Sequence, residues 1–250
     1  MILTLLRVLV VLVLAAFLVD PHLFQPLFAP LTQNGAPAIY NRTPFWQLAV
    51  AHLGIVLLAA VLATVVAVGM AIFVTRPAGR EFLPFSRSLA NIGQTIPPVA
   101  VLALAVPGVG FGLKPTLIAL FLYGLLPIFE NALAGLSEVP APAVEAARGM
   151  GMNARQRLLR VELPLALPVI LEGVRISTIV NVGTATLGST VAAKGLGEVI
   201  VAGLLSSNDA FILQGGIVVA LMAILIYDAL GAVVRSAARR SGLARTGDKI

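Results

Sequence analysis

The polar residues of this chain fall into a few groups, and their types suit binding and mechanical work better than bond making. The densest is Glu145-Ala146-Ala147-Arg148-Gly149-Met150-Gly151, followed after nine residues by Val161-Glu162-Leu163-Pro164. Two small alanines let a partner surface come close. Gly151 permits backbone angles that other residues resist, and Pro164 suits the first turn of a helix. The spacing predicts two short helices with a bend near Gly149 and Gly151, a rigid elbow able to pass a push from a partner into its neighbours. Glu172 and Arg175 stand three apart and can pair on one helix face. Gln94, Thr95, Pro97, Asn181 and Thr184 are polar or helix-breaking residues inside apolar stretches, where an unbonded amide is costly. They are the candidate lining of a solute path. His52 reads as a packing histidine in preference to a proton relay. Arg155, Arg157 and Arg160 are equally open to a specific role and to plain surface charge.

Several catalytic chemistries are excluded. There is no cysteine and there are only two histidines, so no thiolate and no metal cluster is expected. There is no Gly-x-x-x-x-Gly-Lys-Ser/Thr phosphate loop and no His-Glu-x-x-His pair, so ATP hydrolysis and zinc chemistry are not expected of this chain.

The elements that hold these residues must be membrane helices. The 250 residues are 59% hydrophobic and 11% charged, with a mean hydropathy of +1.00. A soluble domain carries roughly a quarter charged residues. At about 20 apolar residues per span, the chain has room for five to seven spans and no further soluble domain.

Six apolar segments can be read. Residues 2–19 form the first, read as a retained helix, with a cleaved signal peptide as the alternative because Arg7 precedes the apolar run and Ala15-Ala16 follow it. Residues 20–45 carry Pro21, Pro26, Pro30, Pro37 and Pro44 with Asn34-Gly35 and predict an extended, irregular outer loop. Residues 46–75 form a long second span. Trp46 is placed as an interface anchor, and Ala59, Ala63, Ala67 and Ala71 give a small-residue packing face. The third span, 89–106, is interrupted by Gly93-Gln94-Thr95-Ile96-Pro97-Pro98, which should kink or break it. Residues 107–115 predict a Gly-rich and Pro-rich outer loop. Spans follow at 116–132, 165–193 and 214–234, and residues 235–250 read as a basic, partly disordered tail. The predicted fold is all-α, a polytopic membrane bundle of about six transmembrane helices. It divides into 1–45 (first helix and outer loop), 46–234 (transmembrane domain, with the elbow at 137–164) and the tail.

Charge sets the topology. Arg76, Arg80, Arg87, Arg148, Arg155, Arg157, Arg160, Arg235, Arg239, Arg240, Arg245 and Lys249 fall on one side of this layout, and only Arg42, Lys114 and Lys194 on the other. By the positive-inside rule both termini and the elbow are cytosolic. The net charge of +6 therefore reflects membrane orientation, and no aromatic-plus-basic surface suggests nucleic acid. Glu130 and Asp228 fall at inner span ends. A solvated position is expected for Glu130. Ser177, Thr178, Thr184, Thr186, Ser189 and Thr190 make the fifth span unusually rich in hydroxyls, so it should face protein or water.

The pattern E-A-A-x-x-x-G, nine residues, I/V-x-L-P resembles the EAA loop of importer-type ABC permeases. Gly93-Gln94-Thr95-Ile96-Pro97-Pro98-Val99-Ala100, Val144 to Gly151, Val161 to Leu165 and Gly183-Thr184-Ala185-Thr186-Leu187 resemble the osmoprotectant branch, the glycine betaine/choline/carnitine type. The resemblance covers about residues 46–234. It implies a type I importer permease fold in a bacterial cytoplasmic membrane and a second permease subunit, identical or homologous. It also implies cytosolic ABC ATPases docked at Glu145, Ala146, Ala147, Gly151, Leu163 and Pro164, and a periplasmic or lipid-anchored substrate-binding protein. ATP would be used by the ATPase, with no cofactor or metal on this chain. Solute selection would rest with the binding protein, because one Trp and three Tyr make a poor aromatic cage for a quaternary ammonium. The alternatives are the same architecture for an amino acid such as methionine or for an organic sulfonate, and an ATPase-independent carrier or membrane scaffold.

Overall fold

The computed structural model describes residues 2–32 and 35–242. Asn34 of the outer turn and Arg245 and Lys249 of the tail lie outside the described residues. The described residues are mostly helical, with no strand among them. In order the helices are α1 (Ile2–Val19), α2 (Gln25–Phe28), α3 (Phe45–Thr75), α4 (Leu83–Thr95), α5 (Pro98–Val109), α6 (Leu113–Ser137), α7 (Ala141–Gly149), α8 (Ala154–Arg157), α9 (Leu163–Thr184), α10 (Gly197–Ser206) and α11 (Asp209–Arg240). Four helical runs are long and apolar enough to cross a membrane: Phe45–Thr75, Leu113–Ser137, Ala154–Val191 and Asp209–Arg240. Two bent pairs, Thr4–Val19 with Pro21–Leu31 (113°) and Arg80–Thr95 with Pro98–Val109 (97°), raise the number to six if each is one span.

The breaks follow from proline. Ile96 precedes Pro97, and Pro97 precedes Pro98, so both are pushed out of the α region. Pro97 sits at φ −54°, ψ 139° as the residue before α5, and the third span turns there. Pro107 does not break α5. It sits two residues before the helix end, and Gly110 at φ +81° stops the helix, so the expected 107–115 loop shrinks to Gly110–Gly112. The expected irregular loop at 20–45 begins as short helical turns through Leu31, started by Asp20, whose side chain accepts the His22 N–H at 3.0 Å.

Pro164 does not open a new helix, contrary to the sequence expectation. The helix runs from Ala154 to Val191 as one 38-residue stretch. A π turn over Leu158–Glu162, closed by the Leu163 N–H on the Leu158 carbonyl, leads into Pro164. The wide turn accommodates a residue that cannot donate to the preceding turn. The last turns of this span, Ala185–Val191, are 3₁₀ and not α. Helix α10 was not expected: its ten residues are too few to register as a span. Helix α11 continues through Arg235 and Arg239 to Arg240, so the first part of the basic tail is helical.

The chain divides into two compact units. The first comprises Met1–Ala59, Ile96–Phe121 and Thr178–Tyr227. Its core gathers Phe17, Phe28, Tyr40, Phe45, Leu48, Leu120, Leu196 and Phe211. The Pro-rich connection is tied down by side chains: Gln214 accepts the Tyr40 N–H at 3.1 Å and donates to the Ala38 carbonyl at 2.7 Å. Asn208 donates to the Pro37 carbonyl at 2.9 Å. These bonds satisfy backbone groups that have no helix to join.

The second unit comprises Ala60–Thr95, Leu122–Ser177 and Asp228–Ile250. Here α6 and α9 lie in close contact. A β-carbon at Gly173 would fall 2.7 Å from Asn131 Cβ and 2.8 Å from the Pro127 carbonyl, and one at Gly135 would meet the Ala166 carbonyl at 3.0 Å. A β-carbon on Gly93 would likewise collide with the Leu122 carbonyl. Ala63, Ala67 and Ala71 of α3 are fully buried in this unit, as Ala59 is in the first, the small-residue face read from the sequence. Exposed Val61 and Val65 of the same helix leave an apolar side for lipid.

Candidate coupling site and solute path

The elbow is built from two capping motifs placed back to back. Helix α7 starts after Pro140 and ends in a Schellman closure: the Gly151 N–H bonds the Arg148 carbonyl at 2.9 Å and the Met152 N–H bonds the Ala147 carbonyl at 3.1 Å. That closure needs a left-handed residue, and Gly151 supplies it at φ +77°. Asn153 then caps α8 in a reciprocal box, accepting the Gln156 N–H at 2.9 Å while its own N–H reaches Gln156 Oε1 at 2.9 Å. The Arg157 guanidinium donates to the Met152 carbonyl at 3.1 Å, so this arginine braces the elbow from within. The Asn-x-x-Gln spacing was legible as a capping signal and is the feature sequence reasoning passed over.

Of the candidate docking residues, Glu145, Ala146, Gly151 and Pro164 are exposed, Leu163 is half-buried and Ala147 is fully buried. All six lie in one continuous stretch of the second unit. Glu145 and Ala146 are therefore open to a partner, and Ala147 holds α7 to its own body. Exposed Met150 and Leu159 add apolar area along the same stretch.

Glu162 is buried and paired with Arg76 at 2.6 Å. From its position in the chain, Arg76 is expected to have only a topological role. Nothing in the spacing of two opposite charges reveals such a partnership. Ser241 is a second residue missed. Its hydroxyl donates to the Pro164 carbonyl at 2.6 Å, against 3.1 Å to the Ala237 carbonyl of its own helix. Pro164 needs that donor because Pro168, four residues on, has no N–H to give. Pro127 leaves the Tyr123 carbonyl in the same state, and Gln94 donates to it at 3.4 Å.

Two other pairs of charged groups lie near span ends. Arg175 holds Glu172 at 3.0 and 3.1 Å, the expected i, i+3 pair. Glu130 is not simply solvated: Arg87 grips it with two bonds, 2.6 and 2.9 Å. His52 is buried with Nε2 2.9 Å from the Val182 carbonyl, as a packing histidine should be.

The candidate path residues are not gathered into one described site. Gln94 and Thr95 belong to the second unit, and Pro97, Asn181 and Thr184 to the first. Gln94, Thr95 and Pro97 are exposed. Asn181 is fully buried and donates to the Leu120 carbonyl at 3.0 Å, while its Oδ1 is buried without a hydrogen-bond partner. The hydroxyls of Thr95 and Thr184 bond back to Ile92 and Val180 at 2.9 Å, the local use such groups often find. Among the described residues no group of three or more His, Asp or Glu could hold a metal ion.

Residues 67–241 match the family described as "Binding-protein-dependent transport system inner membrane component", and the chain belongs to that family. It is a transport subunit and not an enzyme. The osmoprotectant import permease protein OsmY of Salmonella typhimurium is 43% identical over 175 residues, spanning 70% of this chain and 74% of that protein. The glycine betaine/carnitine/choline transport system permease protein OpuCB of Bacillus subtilis is 38% identical over 196 residues, spanning 78% and 86%. An inward-facing structure of the MetNI methionine ABC transporter superposes with a TM-score of 0.69 at 24% identity, covering 79% of this chain and 99% of that one. This last likeness shows a shared fold.

Proposed function

We propose that this chain forms the membrane path of an osmoprotectant importer and passes glycine betaine or a related quaternary ammonium solute into the cell. The observation that carries the reading is the elbow, where Glu145 and Ala146 are exposed on a short helix closed at its C-terminal end by the Gly151 turn and followed directly by the Asn153 capping box. Such an element transmits a push without absorbing it. In this reading ABC ATPases in the cytosol grip Glu145, Ala146, Ala147, Gly151, Leu163 and Pro164, and ATP-driven closure moves the elbow. Two permease subunits then switch from inward-facing to outward-facing. The solute is delivered by a separate binding protein and passes Gln94, Thr95, Pro97, Asn181 and Thr184. The excess of arginine on one side of the layout supports cytosolic termini, and the identity to the two osmoprotectant permeases supports the solute class.

The test is uptake of labelled glycine betaine, choline and carnitine in cells stripped of their own osmoprotectant carriers. The chain is expressed there together with an osmoprotectant-binding protein and an ABC ATPase. Betaine-class uptake that requires the ATPase is the expected result. Uptake of methionine or an organic sulfonate in their place would move the solute assignment, and uptake that persists without any ATPase would overturn the importer reading.

A further inference from the structure

The geometry points to a built-in binding site for one phospholipid with an ethanolamine headgroup, formed by the N-terminal helix against α3 and α11. Two cavities adjoin there. One is an apolar groove of about 300 Å³ lined by Leu14, Ala49, Val50, Leu53, Met222 and Ile226. The other is a polar pocket of about 300 Å³ that includes Asp20, His22, Asn41 and Thr43. Leu18 and Trp46 line both, so the groove and the pocket share a wall. All of these residues belong to the first compact unit.

The layout has the anatomy of an amphiphile. Trp46 is half exposed at 54%, at the start of a membrane helix where indole rings favour the headgroup level. On one side of it lies a groove with no charged lining residue, and on the other a pocket with hydrogen-bonding groups. The chain bends by 113° where α1 gives way to the turns after Asp20, and this corner shapes the polar pocket. A free polar solute would leave the groove unfilled, and a bare hydrocarbon would leave the pocket unused.

Charge selects the headgroup. With histidine neutral, Asp20 carries the only formal charge among the residues lining the pocket. Its carboxylate favours an ammonium group, which the exposed face of Trp46 also attracts. A phosphoglycerol headgroup offers no cation to either. The site depends on α1 and the turns after it, which lie outside the matched family segment of residues 67–241. The N-terminal helix thus acquires a role of its own.

Native mass spectrometry of the full chain, extracted in a non-ionic detergent with equal phosphatidylethanolamine and phosphatidylglycerol, tests the assignment. One phosphatidylethanolamine should be retained per chain, in preference to phosphatidylglycerol by up to about fivefold, the range of a partly exposed charge contact. Asp20→Asn keeps an oxygen able to cap the following turn but removes the charge, and should bring the two lipids to parity. Val50→Trp, at an exposed groove position, should lower retention of both. Equal retention of the two lipids by the native chain, an unchanged preference in Asp20→Asn, or displacement of the lipid by millimolar choline would each overturn the assignment. None of these measurements depends on which solute is transported.

Discussion

Arg76, directly after α3, and Glu162, in the π turn that leads into α9, form an ion pair of 2.6 Å in which the glutamate is buried. The pair joins the end of the second span to the exit of the elbow. Glu162→Gln should destabilise the protein by about 1–3 kcal/mol, because Arg76 keeps its charge beside a partner that has lost it. If the pair stiffens the elbow, uptake should also fall while ATP hydrolysis continues. The double exchange Arg76→Glu with Glu162→Arg should recover part of both losses. Additive effects in that double-mutant cycle would show that the pair does not act as a unit.

Glu145→Arg places a cation on the exposed face of α7. Membrane insertion should be unaffected, and co-purification of the ATPase should drop by roughly tenfold, equivalent to about 1.4 kcal/mol. Gly151→Val should weaken the elbow by a different route, since a β-branched residue is strained at φ +77° by about 1–2 kcal/mol. Normal ATPase recovery with both variants would remove the elbow as the docking element.

Ser241 and Pro168 form a testable couple. Ser241→Ala takes the donor from the Pro164 carbonyl and should cost about 0.5–1.5 kcal/mol of thermal stability. In a Pro168→Ala background, residue 168 regains an N–H that can serve the same carbonyl. There the Ser241→Ala cost should shrink toward zero. An undiminished cost in that background would show that the hydroxyl acts elsewhere.

Tyr40 gives a pH signature. Burial, reinforced by the Glu198 carboxylate that accepts its hydroxyl, pushes the Tyr40 pKa up to about 12. The unfolded chain loses this proton near pH 10. The folded state therefore holds the proton longer, and the contribution to stability is full below pH 10 and lost as pH rises toward 12. Tyrosinate absorbance should include a late ionisation contributed by Tyr40. Tyr40→Phe should abolish that late step and flatten the stability profile above pH 10.

Much of the fold was legible because its signals are local. The long run at 46–75 matches α3, and Pro97-Pro98 marks the bend between α4 and α5, since each proline restricts its own neighbour. The elbow could be read from Gly149 and Gly151 for the same reason. The failures have a common cause in tertiary compensation. Pro164 was read as a helix start, but a π turn before it and Ser241 beside it repair the lost bond. Glu130 was read as solvated because Arg87 is remote in sequence. Helix α10 escaped because ten residues make too short an apolar run.

Gly173 and Gly135 bring α6 and α9 so close that a β-carbon would collide at Gly173 and press hard on Ala166 at Gly135. These are the two helices that enter and leave the elbow. Held this tightly, they behave as the tines of one fork, and neither can yield while the other stays still. Under the proposed coupling, a tug on the handle would then reach the bilayer as a single tilt, and a methyl group at Gly173 would pry the tines apart.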